Sequence, residues 1–313
     1  MQVEQELAQF SPQKETLLTI GVFDGVHLGH KFLIRKLVAL AHQQNFLSGV
    51  VTFRQHPRKL LSPKTKLLYL CSVEKREQLL NNEGVDIVAA LSFDHELAKL
   101  SARDFVSLLK KYLKMRGLVI GPDFALGRNR EGNADTLLSL GEEMGFSVTI
   151  VAPKIINGEV ASSTAIRQAL ADGDMEKVTR LLGRPFSLQG KVMSGEHRGT
   201  GIGFPTINLN IDVKMAVPPD GVYATLAYID GHEFQAMTNI GKRPTFGDNN
   251  ERTIESYILN YNQDIYGKEV KIKLIQRLRG EKRFDNAEEL KKQIAEDVKQ
   301  GVEILNTQGR KYK

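Results

Sequence analysis

Two histidines three residues apart stand in the most chemically loaded stretch of the chain, Gly21-Val22-Phe23-Asp24-Gly25-Val26-His27-Leu28-Gly29-His30. An apolar, β-prone run leads into it and a helical pattern leads out. That junction is where an open α/β sheet presents backbone N–H groups to phosphate. Gly25 and Gly29 let backbone and ligand approach closely. On a helical turn the His27 and His30 imidazoles face one side. From there they can hydrogen-bond a nucleoside triphosphate and stabilise charge developing during attack on phosphorus. Singly, each histidine reads as a solvent-facing turn residue; the pair, the glycines and the junction together read as a phosphate site. Metal binding is the rival role, but Asp24 is the only carboxylate nearby and structural zinc wants four ligands.

Other stretches carry residue types suited to the same chemistry. Ser162-Ser163-Thr164-Ala165-Ile166-Arg167 puts hydroxyls at a helix start, where they are ordinarily caps. Arg167, one turn in, would point at that same end, where the helix dipole favours anions, so a phosphate clamp is the second reading. Thr52-Phe53-Arg54-Gln55-His56-Pro57 and Gly121-Pro122-Asp123-Phe124-Ala125-Leu126-Gly127-Arg128 fall at strand ends and suit the carboxyl edge of a sheet, though neither is diagnostic. Gly201-Ile202-Gly203-Phe204-Pro205-Thr206-Ile207-Asn208 contains a GxG, yet Pro205 follows at once and no helix begins, so it is not a dinucleotide fingerprint. Gly190-Lys191, Gly241-Lys242 and Gly267-Lys268 lack the Ser or Thr of a phosphate-binding P-loop. Thr206 and Asn208 alternate along an extended chain with their oxygens on one side. They hold Mg²⁺ beside a phosphate, or they are the polar edge of a turn. Glu255 shares a strand face with Tyr257 and Leu259, opposite Ile254 and Ile258. It sits at a barrel mouth or is merely exposed, and a hydroxyl nucleophile needs such a base.

Two scaffolds are needed to position these residues. Apolar runs at 17–22, 49–53, 86–91, 118–121 and 147–151 do not alternate strictly, which suits strands buried on both faces. One helical pattern follows His30, with Ile34, Leu37, Val38 and Ala41 on one face. Another opens at Ser101 with Asp104 three residues on and is expected to bury Phe105, Leu108 and Tyr112. Alternating strands and helices predict an α/β domain with a parallel sheet. Helical stretches at 163–171 and 174–182 lead to Gly183-Arg184-Pro185, where the domain boundary is expected, dividing 1–185 from 186–313. Beyond it, strand-like segments at 187–193, 221–229, 233–241, 253–259 and 270–278 predict a small antiparallel β-barrel. A terminal helix starts at Asp285 or Asn286, with Ala287, Leu290, Ile294 and Val298 along one stripe.

Composition agrees with that division. The 313 residues suffice for two domains. At 41% hydrophobic and 26% charged, the chain is not disordered, collagen-like or a coiled-coil rod. No apolar run approaches the ~18 residues of a membrane helix. The first ten residues hold two glutamates and no apolar h-region, so a cytoplasmic location without a signal peptide is expected. Cys71, the single cysteine, makes no internal disulfide and offers no zinc site. Of the net charge of +6, most lies from Lys268 onward, with 13 basic against 8 acidic residues, and the remainder is 30 against 29. That describes a solvated helix and tail, not a nucleic-acid-binding stripe, so neither nucleic acid nor membrane is an expected partner.

In this order, the motifs resemble the bacterial bifunctional riboflavin kinase/FAD synthetase family over about residues 17–298. The 21–30 run, the Thr52-Phe53 and His56-Pro57 pairs, residues 121–127 and the helix from Ser162 are similar to its adenylyltransferase module. That module belongs to the HxGH nucleotidyltransferase superfamily and is Rossmann-like. The resemblance implies His27 and His30 as catalytic groups. It implies ATP contacts at Gly21, Phe23, Asp24, Gly25, Gly29, Ser162, Ser163, Thr164 and Arg167, and flavin contacts at His56, Pro57, Asp123 and Phe124. The 203–208 loop, Gly221-Val222-Tyr223-Ala224, residues 239–247, Tyr266-Gly267, and Arg277-Leu278-Arg279 with Glu281 and Phe284 resemble the flavokinase module. There the resemblance implies Gly203 and Pro205 around ATP, Thr206 and Asn208 as Mg²⁺ ligands, and Glu255 as the base for the ribityl 5′-hydroxyl. The implied reactions are riboflavin and ATP to FMN and ADP, then FMN and ATP to FAD and pyrophosphate. Thr200 replaces a common Arg, Ile207 a small residue and Leu126 a usual Phe. Two rivals fare worse. An HxGH transferase for phosphopantetheine or glycerol phosphate needs no barrel, and a non-catalytic flavin-binding regulator predicts loss of the catalytic groups, all of which are present.

Overall fold

In the computed structural model, which describes residues 1–62, 64, 67–194, 201, 203–242 and 252–308, each half of the chain builds its own core. The first unit, Met1–Ser163, runs in chain order through α1 (Gln2–Ala8), β1 (Thr16–Ile20), α2 (Leu28–Gln43), β2 (Leu47–Phe53), α3 (Pro57–Leu61), α4 (Val73–Asn81) and β3 (Ile87–Leu91). It continues with α5 (His95–Lys99), α6 (Ala102–Leu113), β4 (Met115–Ile120), α7 (Ala134–Met144), β5 (Ser147–Ile150) and the short hairpin β6 (Ile155–Ile156) and β7 (Glu159–Val160). The five long strands form a parallel sheet in the order β3-β2-β1-β4-β5. Successive residues of the central strand serve opposite faces. Leu18 and Ile20 join the core that holds Val3, Leu7, Phe105 and Leu109. Leu17 joins the one that holds Ile34, Leu37 and Leu80. This is why β1 is buried at all five positions and shows no alternation in its sequence.

The α6 helix begins as expected, with Asp104 N–H donating to Ser101 Oγ at 3.1 Å and Ser101 Oγ donating back to the Asp104 carboxylate at 2.6 Å. Its buried stripe is rotated from the expected one. Phe105, Val106, Leu109 and Leu113 are fully covered, while Leu108 and Tyr112 are half-buried at the core's margin.

The second unit begins at Thr164 and takes in most of α8 (Ser163–Asp172), α9 (Met175–Leu182) and all that follows. Its strands are β8 (Phe186–Met193), β9 (Thr206–Asn210), β10 (Gly221–Ile229), β11 (His232–Lys242), β12 (Arg252–Ile258) and β13 (Glu269–Arg279). They close into a barrel in the order β10-β11-β12-β9-β8-β13, and every pairing is antiparallel. Five of these strands match expected segments. The sixth is the Thr206–Asn210 stretch, which its polar residues had kept out of the strand count. The α9 helix packs on β13 and β8 through Met175, Val178, Leu181 and Leu182, all fully covered, which joins it to the barrel. The terminal helix α10 (Ala287–Gln308) is capped by Asn286, whose Oδ1 accepts the Glu289 N–H at 2.9 Å. It covers the outer barrel face at Ala224, Leu226 and Met237 through Leu305, Val298 and Ile304.

Candidate functional site

The 21–30 segment leaves the carboxyl end of β1, where the strand order reverses between β2 and β4. That switch point is where an open α/β sheet forms its ligand crevice. Parallel register puts the ends of β2 and β4 at the same edge, so the segments carrying His56-Pro57 and Asp123-Phe124 flank the turn on either side.

The turn is tightly wound. Phe23 and Val26 have φ of +52° and +39°, the latter costly for a β-branched residue, and Gly25 takes +80°. Strain of this kind persists only where its surroundings hold it. Here Val26 N–H donates to Phe23 C=O at 3.0 Å and Gly25 N–H donates to Cys71 Sγ at 3.2 Å. The Asp24 carboxylate, 3% exposed, accepts the Leu70 N–H at 3.0 Å and the Cys71 N–H at 3.4 Å. Asp24 is thus turned inward onto the 70–71 backbone.

His27 caps α2, its Nδ1 accepting the His30 N–H at 3.3 Å. The helix begins one turn earlier than the hydrophobic pattern alone implies, and His30 falls on its third residue. The two imidazoles stack with centroids 3.5 Å apart, and the Phe23 ring meets His30 edge-on at 5.1 Å. Because Nδ1 of His27 accepts a hydrogen bond, the neutral ring carries its proton on Nε2. Gly29 is required by the chain itself. A Cβ there would lie 2.6 Å from the Ala161 carbonyl oxygen and 3.1 Å from the His27 ring. Ser163, the first residue of α8, donates from Oγ to the Asp24 carbonyl at 2.9 Å. Thr164 and Arg167 follow on the same helix.

The flanking segments are ordered by local bonds. His56 caps α3 by accepting the Arg58 N–H at 3.1 Å, and its own N–H donates to the Tyr69 hydroxyl at 3.0 Å. Pro57 opens that helix. Asp123 C=O accepts from Arg130 at 3.2 Å, Phe124 packs at the edge of the core, and Leu126 is buried. One participant escaped the sequence reading. Arg76, 2% exposed, donates to the Val22 and Phe53 carbonyls at 2.7 Å each and so ties the ends of β1 and β2 together.

In the barrel, register brings the distant residues together. Glu255 pairs with Asn208 and Tyr257 with Thr206 across β12 and β9. Directly paired residues share a face with Cβ atoms ~5 Å apart. Ile254, Ser256 and Ile258 face inward, where Ser256 joins a chain of buried hydroxyls with Thr238, 2.5 Å away, and Thr225. Glu255 therefore belongs to the outer face and not to the barrel's interior, and it is half-buried there. Tyr257 pairs with Met237, a residue under α10, which fixes the same assignment. Ile207 lies between Thr206 and Asn208 on the opposite side, paired with Ser256. Gly203 takes φ +89° just before β9, Pro205 is exposed, and Phe204 meets Tyr257 edge-on at 5.2 Å. Arg279 clasps the buried Asp297 of α10 with contacts of 2.8 and 2.9 Å, pinning that helix to β13. Thr200 and the 243–247 stretch lie outside the described residues.

Comparison with known proteins decides the family. Residues 9–165 match the FAD synthetase family model and 182–305 the riboflavin kinase model. The Escherichia coli K12 bifunctional riboflavin kinase/FMN adenylyltransferase is 37% identical over 92% of both chains, and its Listeria monocytogenes counterpart is 35% identical over 90% of both. The chain belongs to the bifunctional riboflavin kinase/FMN adenylyltransferase family. A solved Streptococcus pneumoniae structure described as a macrolide-efflux protein is 31% identical, matches 96% of both chains and superposes with a TM-score of 0.87. Among the described residues of this family member, no helix is long and apolar enough to cross a membrane.

Proposed function

We propose that this chain phosphorylates riboflavin to FMN with release of ADP and adenylylates FMN to FAD with release of pyrophosphate, using ATP for each step. Residues 186–313 carry the kinase and 1–185 the adenylyl transfer. In the kinase step Glu255 takes the proton of the ribityl 5′-hydroxyl as that oxygen attacks the γ-phosphorus. Thr206 and Asn208 offer hard neutral oxygens on one side of β9, a donor set that fits Mg²⁺ completed by phosphate and water. Bound there, Mg²⁺ supplies charge neutralisation at the transferring phosphoryl group. Gly203 and Pro205 shape the approach to β9 and to the ATP phosphates.

In the second step the FMN phosphate is already an anion near neutral pH and attacks the α-phosphorus without a base. What that reaction needs is donors for the charge spreading over phosphoryl oxygens. His27 and His30 provide them, with Gly21, Phe23, Asp24, Gly25 and Gly29 shaping the turn that presents them. Ser162, Ser163, Thr164 and Arg167 hold phosphate at the start of α8. His56, Pro57, Asp123 and Phe124 take the flavin side.

The observation that carries this reading is the pairing of Glu255 with Asn208, two residues from Thr206, which assembles a base and two oxygen donors from distant segments. Incubating the protein with riboflavin, ATP and Mg²⁺, under oxidised and reduced flavin conditions, and separating the flavins tests it directly. FMN followed by FAD is expected. Finding neither overturns the reading.

A further inference from the structure

The phosphate turn and the flavin-side segment leave adjacent strands, and one buried side chain holds the two exits together. The backbone ladder between β1 and β2 ends at Ile20 and Val51, with the Gly21 N–H donating to the Val51 C=O at 3.0 Å. Two residues further along each chain, the Val22 and Phe53 carbonyls accept from Nη1 and Nη2 of Arg76, both at 2.7 Å. Val22 leads into the turn bearing His27 and His30, and Phe53 leads into His56 and Pro57. Arg76 lies on α4, and the residues just ahead of that helix brace the same turn, the Leu70 and Cys71 N–H groups donating to Asp24. Arg76 is 2% exposed, yet its hydrogen bonds go to two neutral carbonyls, and its Nε makes none among the described residues. Burying a guanidinium on neutral acceptors is costly, and packing alone is served as well by an apolar side chain. What the guanidinium adds is a rigid planar fork that fixes two acceptors at a set separation.

We propose that Arg76 is a positioning residue for adenylyl transfer, its fork setting the separation between the ATP-bearing turn and the flavin-bearing segment. The proposal rests on the reading that residues 21–30 take ATP and residues 56–57 the flavin. In that reaction a phosphate oxygen of FMN bonds to the α-phosphorus of ATP as the bond to the bridging oxygen breaks and pyrophosphate leaves. Once both substrates are bound, the rate depends on how well they are aligned with one another. Each substrate's own contacts lie on its own segment, so loosening the fork spares binding and degrades alignment. A lysine at this position would keep the charge as a flexible point donor and lose the fork.

Steady-state kinetics of FAD formation by the full-length protein test this, at a temperature well below the circular-dichroism melt of each variant. Arg76→Met, which keeps an unbranched stem without the fork, should lower kcat ~10²-fold, the size that a misplacement of about 1 Å carries. KM for ATP and for FMN should each stay within about threefold, since the contacts to each substrate remain. Arg76→Lys should fall between that variant and the parent, about tenfold down in kcat. A brace with no part in the reaction would lower the melting temperature and leave kcat alone. Parent-like kcat in a folded Arg76→Met, or a loss expressed in KM alone, therefore overturns the proposal. Parent-like kcat in Arg76→Lys overturns it too, because the charge and not the fork would then carry the effect. Should Arg76→Met give no cooperative melt, Arg76→Lys decides: the kcat loss at unchanged KM supports the clamp, and parent-like kcat refutes it. His30→Ala, assayed in parallel, separates the two levels. If it removes FAD formation while Arg76→Met does not, the site reading stands and the clamp alone fails; if it leaves FAD formation intact, both fail.

Discussion

Gly29→Ala adds one methyl group to the first turn of α2, and its consequence can be worked from the structure. The new Cβ would stand 2.6 Å from the Ala161 carbonyl oxygen, against the ordinary contact distance of 3.4 Å. Relief requires a displacement of about 0.8 Å, and neither side of the contact is a flexible side chain tip. One side is the backbone of the residue just ahead of Ser162 and Ser163; the other is the turn bearing His27 and His30, whose ring is also 3.1 Å from the new atom. Overpacking of this kind costs about 1–3 kcal/mol of stability. Catalysis should suffer more, since a misplacement of about 1 Å in a positioned group can cost ~10²-fold in rate. We expect FAD formation from FMN and ATP to fall about a hundredfold, while FMN formation from riboflavin stays within twofold of the parent. The assay is chromatographic separation of flavins after supplying each substrate in turn, with a circular-dichroism melt of each preparation to show that the first unit stays folded. Adenylylation within threefold of the parent, in a protein with intact kinase activity, would refute the claim that this turn and the 161–163 backbone form one rigid phosphate-facing unit.

His30→Ala should remove most FAD formation and spare FMN formation; equal loss of both in a folded protein would argue against a role confined to the first unit. Glu255→Gln keeps side-chain size and removes the proton acceptor, so kinase turnover should drop ~10²–10⁴-fold with adenylylation of supplied FMN unchanged; a loss of only a few-fold would make Glu255 a bystander. Burial pushes the Tyr223 hydroxyl up to about 12 from 10.0, and its OH donates to the Pro219 carbonyl at 2.6 Å. Between those values the unfolded chain has lost the proton that the folded one keeps, so this contribution is fully present below pH 10 and is lost as pH rises toward 12. Alkaline melts should show the barrel weakening across that window, and Tyr223→Phe should flatten the slope. A fragment from Thr164 to the C-terminus should fold and phosphorylate riboflavin, and one from Ser187 should melt at a lower temperature because it loses the α9 side chains packed on β8 and β13. Equal melting of the two fragments would deny α9 that role.

Much of the scaffold was legible because its signals are local. Short apolar runs separated by helical patterns suffice for a parallel sheet, and Gly- and Asn-rich breaks between strands suffice for a barrel. What escaped was set by tertiary contacts. The stripe on α6 is centred on Phe105, Val106 and Leu109 because α1 as well as the sheet covers it, and nothing within residues 101–113 reports that second partner. The strand β9 reads as a polar turn in isolation. It becomes a strand because β8 and β12 both need a partner to close the barrel.

The two sites differ in legibility for the same reason. The histidine pair, its glycines and its strand–helix junction lie within ten residues, so one segment contains the chemistry and the geometry together. Even there, the inward turn of Asp24 depends on residues 70–71, more than forty positions away. Arg76 is harder still. It sits among Glu74, Lys75 and Glu77 in what looks like a solvated helix face, yet it is the buried member of that group, set between the ends of two strands. In the barrel, strand alternation assigned Glu255 a face but could not say which residue would lie across from it. That depends on a register between segments 47 residues apart, and slipping it by one would put Ile207 where Asn208 is. The chemistry of a local motif can be read from residue types alone, whereas a site assembled across strands exists only once the register is known. The kinase assignment therefore stands or falls on that register, and the Glu255→Gln substitution is its direct probe.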